Sequence, residues 1–160
     1  MGLSAFVKKL LFARGLDIDK NLRILGVKKV MVSPELICKL QDKGQEEIYK
    51  LAKELMIAEV RQLRKSLRME SEKLLELSLN LLDTYGLGSF EVTKLEEKEA
   101  WVDVGRTPFK ASGKRKTCFF TAGLLAGAFQ EYFEKEVSCE EVSCKNEGGE
   151  WCRFVLKAKA

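Results

Sequence analysis

A chain of 160 residues is long enough to bury a core without disulfides, and its 46% hydrophobic and 32% charged content is that of a globular protein, not a disordered or membrane-embedded one. The formal net charge of +4 is spread along the chain and argues for no nucleic-acid partner. Histidine is absent, which removes Ser-His-Asp and Cys-His catalysis, histidine-ligated haem and histidine-based metal sites.

The run from Phe6 to Phe12 is broken by Lys8 and Lys9 and is too short to span a bilayer. Met1-Gly2 lacks the Ser or Thr that myristoylation requires at position 6. With no secretory signal, five cysteines point to a reducing compartment, where a cysteine cluster is a metal site and not a disulfide framework. The expectation is a cytoplasmic protein without a membrane span.

In chain order, Phe6, Val7, Leu10 and Leu11 predict a helix over 3–14 that Gly15 stops, packing on the body or on a second subunit. Residues 22–32, with Val27, Val30 and Val32, predict a strand. Ser33-Pro34-Glu35 opens a helix, Ser as N-cap and Pro at the first helical position, that runs to about Gln41 and ends at Lys43-Gly44. Cys38 lies within it as a buried free thiol.

Residues 45–83 are helical in pattern, with a break near Arg68 to Ser71. Ile48, Ala52 and Leu55 lead one stripe, Met56, Val60, Leu63 and Leu67 extend it, and Leu74, Leu75, Leu79 and Leu82 form another. So much amphipathic helix favours helices that cover a sheet and also self-associate.

Tyr85-Gly86-Leu87-Gly88 punctuates the chain. Two short strands follow, at 89–92 and 100–104, joined by a charged turn over 94–99. Residues 105–116 read as a solvated loop carrying Lys114-Arg115-Lys116. Thr117 then caps a helix over 118–133 that is apolar on nearly every side, which places it at the centre of a domain. Gly123, Ala126 and Gly127 let a neighbour, in the ordinary case a strand, approach its backbone. Strands at 137–145 and 150–157 complete the chain. The fold class is therefore α+β, an antiparallel sheet of at least four strands packed on several helices. It reads as one domain over 1–160, with a β-β-α-β-β core at 86–157 and a mostly helical half before it.

The cysteines give the clearest chemistry. Cys118 opens the central helix, and Glu141-Val142-Ser143-Cys144 and Cys152 flank a turn-rich segment around Gly148 that reads as a hairpin tip. Cys144 and Cys152 then face each other and look inward, with Phe154, Leu156 and Val142 on the same side. Thiolates are the preferred soft ligands of zinc, and a structural site needs four donors, of which one can be a carboxylate. Cys118, Glu141, Cys144 and Cys152 would supply them. In a regular strand Glu141 and Cys144 point to opposite faces, so sharing an ion requires a bulge near Ser143. Cys139, on the face of Glu141, is the alternative donor.

These motifs, with Thr121-Ala122-Gly123-Leu124-Leu125-Ala126-Gly127 and Gly148-Gly149-Glu150-Trp151-Cys152-Arg153-Phe154, resemble the 4-vinyl reductase domain family over residues 86–157. That family includes the aromatic-sensing domains of phenol-responsive activators, and its fold is similar to that of TRAPP-type tethering subunits. The resemblance implies a zinc on Cys118, Glu141, Cys144 and Cys152, beside a pocket for a small aromatic or other apolar molecule, on a domain that forms a homodimer. The implied pocket residues are Trp101, Phe109, Phe119, Phe120 and Leu124. The histidine that helps bind phenol in the sensors has no counterpart here, which argues against phenol itself. No ATPase or DNA-binding domain is attached, so a signal would pass to a separate protein partner. The alternative is an assembly subunit with a vestigial or lipid-filled pocket. An enzyme acting on a vinyl-tetrapyrrole follows from the family name alone, since no general acid, nucleophile or nucleotide-binding loop accompanies it.

Overall fold

The computed structural model describes residues 16–17, 23–24, 27–29, 32–109, 118–148 and 151–159. The chain divides into two compact units, Met1–Ser33 and Pro34–Ala160. In the first, β1 (Leu16–Asp17), β2 (Arg23–Ile24) and β3 (Val27–Lys28) pair antiparallel in sequence order. The single strand expected over 22–32 is thus two short ones, Ile24 lying opposite Val27. Only Leu25 and Gly26 separate that pair, a spacing suited to a reversal and not to an extended run. The helix expected over 3–14 lies outside the described residues.

The second unit begins with α1 (Pro34–Lys43), α2 (Gln45–Leu67) and α3 (Ser71–Thr84). Pro34 starts α1 where its fixed φ is favourable and its missing N–H is not needed. Arg68 ends α2 in the left-handed region (φ 50°), its N–H bonded to the Arg64 carbonyl at 3.0 Å. Along α2 the buried residues are Ile48, Ala52, Met56, Val60 and Leu63. Leu55 and Leu67, expected in that stripe, are instead exposed. Leu55 stands one residue from Met56, a rotation of about 100°, enough to turn it off the packed face. Leu67 is the last residue of the helix. In α3 the whole expected set, Leu74, Leu75, Leu79 and Leu82, is buried.

A four-stranded antiparallel sheet follows, β4 (Ser89–Leu95), β5 (Glu99–Gly105), β6 (Val137–Ser143) and β7 (Cys152–Ala158), in the order β4-β5-β7-β6. The turn between β4 and β5 is tighter than expected, closed by the Glu96 N–H on the Glu99 carbonyl, so Lys94 and Leu95 belong to the strand. Ala100, Val102, Val104, Phe154 and Leu156 form the buried face of β5 and β7.

The apolar helix α4 (Phe119–Phe133) joins the two hairpins, with a run from Thr121 to Phe129 buried throughout. Its close neighbour is not a strand but α2. A methyl group on Gly123 would lie 2.3 Å from the Tyr49 carbonyl oxygen, and one on Gly127 2.5 Å from that of Lys53. Two glycines one turn apart face two carbonyls one turn apart, so the helix backbones meet without side chains between them. None of the helices among the described residues is long and apolar enough to cross a membrane.

Candidate metal centre

The centre is assembled by three segments distant in sequence. Cys118 occupies the N-cap position of α4, one residue earlier than the first turn, and its carbonyl accepts the Ala122 N–H at 2.8 Å. The expected N-cap, Thr117, and the basic run at Lys114 to Lys116 lie outside the described residues. Glu141 comes from β6, Cys144 from the residue after it, and Cys152 from the start of β7.

A bulge brings Glu141 and Cys144 to one side. Glu141 pairs with Phe154 and Ser143 with Arg153, so two steps along β6 match one along β7 and Val142 is left over. The extra residue resets the alternation. Val142, expected on the inward face, is turned to solvent for the same reason, at 45% exposure, while Glu141 and Cys144 are buried.

One donor atom from each of Cys118, Glu141, Cys144 and Cys152 lies within 4.8 Å of the others, and all four residues are buried. The Cys152 sulfur is 3.9 Å from that of Cys118 and 3.9 Å from that of Cys144. A disulfide would need about 2.05 Å. A tetrahedron with metal–sulfur bonds of about 2.3 Å has an edge of about 3.8 Å, which the observed spacing meets. Glu141 Oε1 is buried and has no hydrogen-bond partner, a costly arrangement for a carboxylate unless a cation completes it. The donor set therefore fits a soft divalent ion and can hold one.

Crowding sets the proton affinities of the sulfurs apart. Its contact with the Cys152 sulfur, then burial and the nearby Glu141 carboxylate, hold the Cys118 thiol far above the usual thiol range. The same contact, seen from the other side, pulls Cys152 down, helped by the Lys145 backbone N–H at 3.4 Å from its sulfur. Cys139 stands outside the group. Its backbone N–H donates to the Tyr49 hydroxyl at 3.2 Å, and burial pushes its thiol up.

The implied pocket residues are divided by the sheet. Phe109 is buried and meets Phe120 edge-on, ring centroids 6.1 Å apart, near the start of α4, where Leu124 is buried and Phe119 half-buried. Trp101 is on the other face, opposite in direction to Val102. There its indole N–H donates to Glu99 at 2.8 Å, its ring carries Lys94 and Arg153, and it lines a groove of about 290 Å³ with Val142 and Val155.

The segment that holds all four donors, residues 107–158, is also the one that matches a known family. It matches the 4-vinyl reductase domain. The match falls almost wholly within the stretch whose motifs carry the 4-vinyl reductase resemblance in the sequence. A curated relative, an uncharacterized protein of Methanocaldococcus jannaschii, is 29% identical over 101 residues, 56% of this chain and 53% of that protein. The chain thus spans about half the length of this relative. Among solved structures, the phenol-responsive sensory domain of the transcription activator PoxR, crystallised with phenol, superposes with a TM-score of 0.77 at 13% identity, covering 98% of this chain and 92% of that one. Trafficking protein particle complex subunit 3 of Naegleria fowleri, covalently bound to palmitic acid, superposes with a TM-score of 0.57 at 11% identity, covering 79% and 90%. At such identities these structures establish the fold.

One residue of the α4 N-terminus has no sequence signal beyond its place near the end of a helix. Gln41 of α1 is 2% exposed, and its Oε1 accepts the Phe120 N–H at 2.8 Å. Its position three and four residues after Cys38 and Ile37 is the one hint that it shares their half-buried face.

Proposed function

We propose that this chain is a homodimeric small-molecule binding module, a sensor or carrier for an aromatic or other apolar ligand, stabilised by a structural zinc on Cys118, Glu141, Cys144 and Cys152. The observation that carries the reading is the buried quartet at tetrahedral spacing, located where the most apolar helix of the chain begins. Zinc held by four protein donors has no open position for water, so its role there is to fasten the β6–β7 tip to α4. The chain's own residues would do the binding. Phe109, Phe119, Phe120 and Leu124 offer apolar surface next to Cys118, and the sensory domain that shares this fold is one crystallised with phenol. Trp101 would contribute only from the outer face of the sheet.

Native mass spectrometry of freshly purified protein tests this in one measurement. The expected species is a dimer with one zinc per chain and a co-purified apolar compound. Full-length protein that is monomeric and metal-free as isolated, and takes up no zinc when it is supplied, would overturn the reading.

A second reading, an assembly subunit with a lipid-filled or vestigial pocket, is favoured by one observation. Leu36 and Leu40 on α1, and Leu51 and Leu55 on α2, are 46–55% exposed in pairs four residues apart. A zinc-loaded dimer that carries an acyl chain or nothing, and forms a stoichiometric complex with another protein, would favour it.

A further inference from the structure

The first turn of α4 holds two buried polar groups that no protein atom satisfies. Gln41 Nε2 and Thr121 Oγ1 have no hydrogen-bond partner, in residues only 2% and 1% exposed. Buried polar groups are rarely left so, because each has given up its hydration for nothing.

The polarity of the Gln41 amide is not ambiguous. Its bonded end receives a backbone N–H, that of Phe120 at 2.8 Å, so that end is the carbonyl oxygen and the other end is the NH₂. What is missing is therefore an acceptor. The Thr121 hydroxyl, on the residue next to Phe120, can donate to one as well. Both groups are neutral, and the neighbouring rings of Phe109 and Phe120 are apolar. A buried carboxylate or phosphate in such surroundings would need a counter-charge, whereas a neutral oxygen needs only the hydrogen bond.

We propose that Gln41 Nε2 and the Thr121 hydroxyl are the polar anchor of the ligand site, and that its ligand carries a neutral hydrogen-bond acceptor, a carbonyl or ether oxygen, on an apolar body. This rests on the receptor reading above and sharpens it, since a pure hydrocarbon would leave the donors unpaired. A site built to hydrogen-bond one group rejects the analogue that lacks it more strongly than an apolar pocket can distinguish size.

The test uses two nearly isosteric probes, acetophenone and α-methylstyrene, which differ by a carbonyl oxygen in place of a methylene. Calorimetric titration of the zinc-loaded full chain is expected to show acetophenone binding about tenfold more tightly, equivalent to about 1.4 kcal/mol. Gln41→Met is expected to abolish that preference while α-methylstyrene still binds, and Thr121→Val to reduce it. Equal affinity of the two probes for the unaltered protein would overturn the anchor and leave the receptor reading standing, the donors then being served by water. Binding of neither probe would remove the receptor reading for ligands of this class, and the anchor with it. A preference that survives both substitutions would place the acceptor's partner elsewhere and overturn the assignment. Because the comparison between probes is made first on the unaltered protein, it does not depend on whether Gln41→Met folds.

Discussion

Cys118, Cys144 and Cys152 are each no more than 2% exposed, and Glu141 is 8% exposed. Four acidic groups so placed repel one another when ionised, and burial without a cation would force them to remain protonated. A metal inverts that balance, because the thiolates become its ligands. Replacing Cys144 by Ala removes one of three sulfurs and leaves a carboxylate and two thiols. The expected outcome is loss of bound metal and faster amide exchange across residues 137–157, with α2 unaffected, read by metal analysis and hydrogen-exchange mass spectrometry. Cys38→Ala, in a residue outside the group, should retain full metal content. Full metal content in Cys144→Ala would refute the ligand assignment.

At the scale of elements, the contact between α2 and α4 depends on what two positions lack. Gly123 and Gly127 face the carbonyls of Tyr49 and Lys53, atoms of backbone that cannot rotate away as a side chain would. Gly123→Ala and Gly127→Ala should each destabilise the protein by about 1–3 kcal/mol, the range for overpacking a close contact, despite the better helix propensity of Ala. Chemical denaturation would measure it, and a neutral or stabilising result would mean that the helices can separate without cost. The pair also bears on the metal centre, because a displaced α4 carries Cys118 with it.

For the whole unit of residues 34–160, the centre joins the start of α4 to the far end of the sheet, two regions separated by more than twenty residues of chain. Structural zinc supplies on the order of 10 kcal/mol of apparent binding energy, comparable with the stability of an entire domain. Complete chelation is therefore expected to lower the thermal midpoint by about 10 °C or more, reversibly on adding zinc back, as followed by circular dichroism. Because the thiols must lose protons to bind, metal release should become easier as pH falls. An unchanged midpoint after verified metal removal would mean that packing alone holds the β6–β7 tip.

Several levels of this structure were legible in the sequence because they obey local rules. The stripe of α3, the break after Leu67, the two hairpins and the donor types in Cys118, Glu141, Cys144 and Cys152 follow from periods of 3.6 and 2 and from ligand chemistry. Even the need for a bulge near Ser143 could be stated from parity alone. Other features are properties of pairing between distant segments, and no local rule contains them. The leftover residue at Val142 is set by register against β7, the partner of Gly123 by how two helices cross, the side taken by Trp101 by which sheet face α4 covers, and the exposure of Leu55 by where α2 finds its neighbour. Tertiary structure alone decided these, since a side chain's direction follows from its own strand or helix while what it meets depends on the rest of the chain.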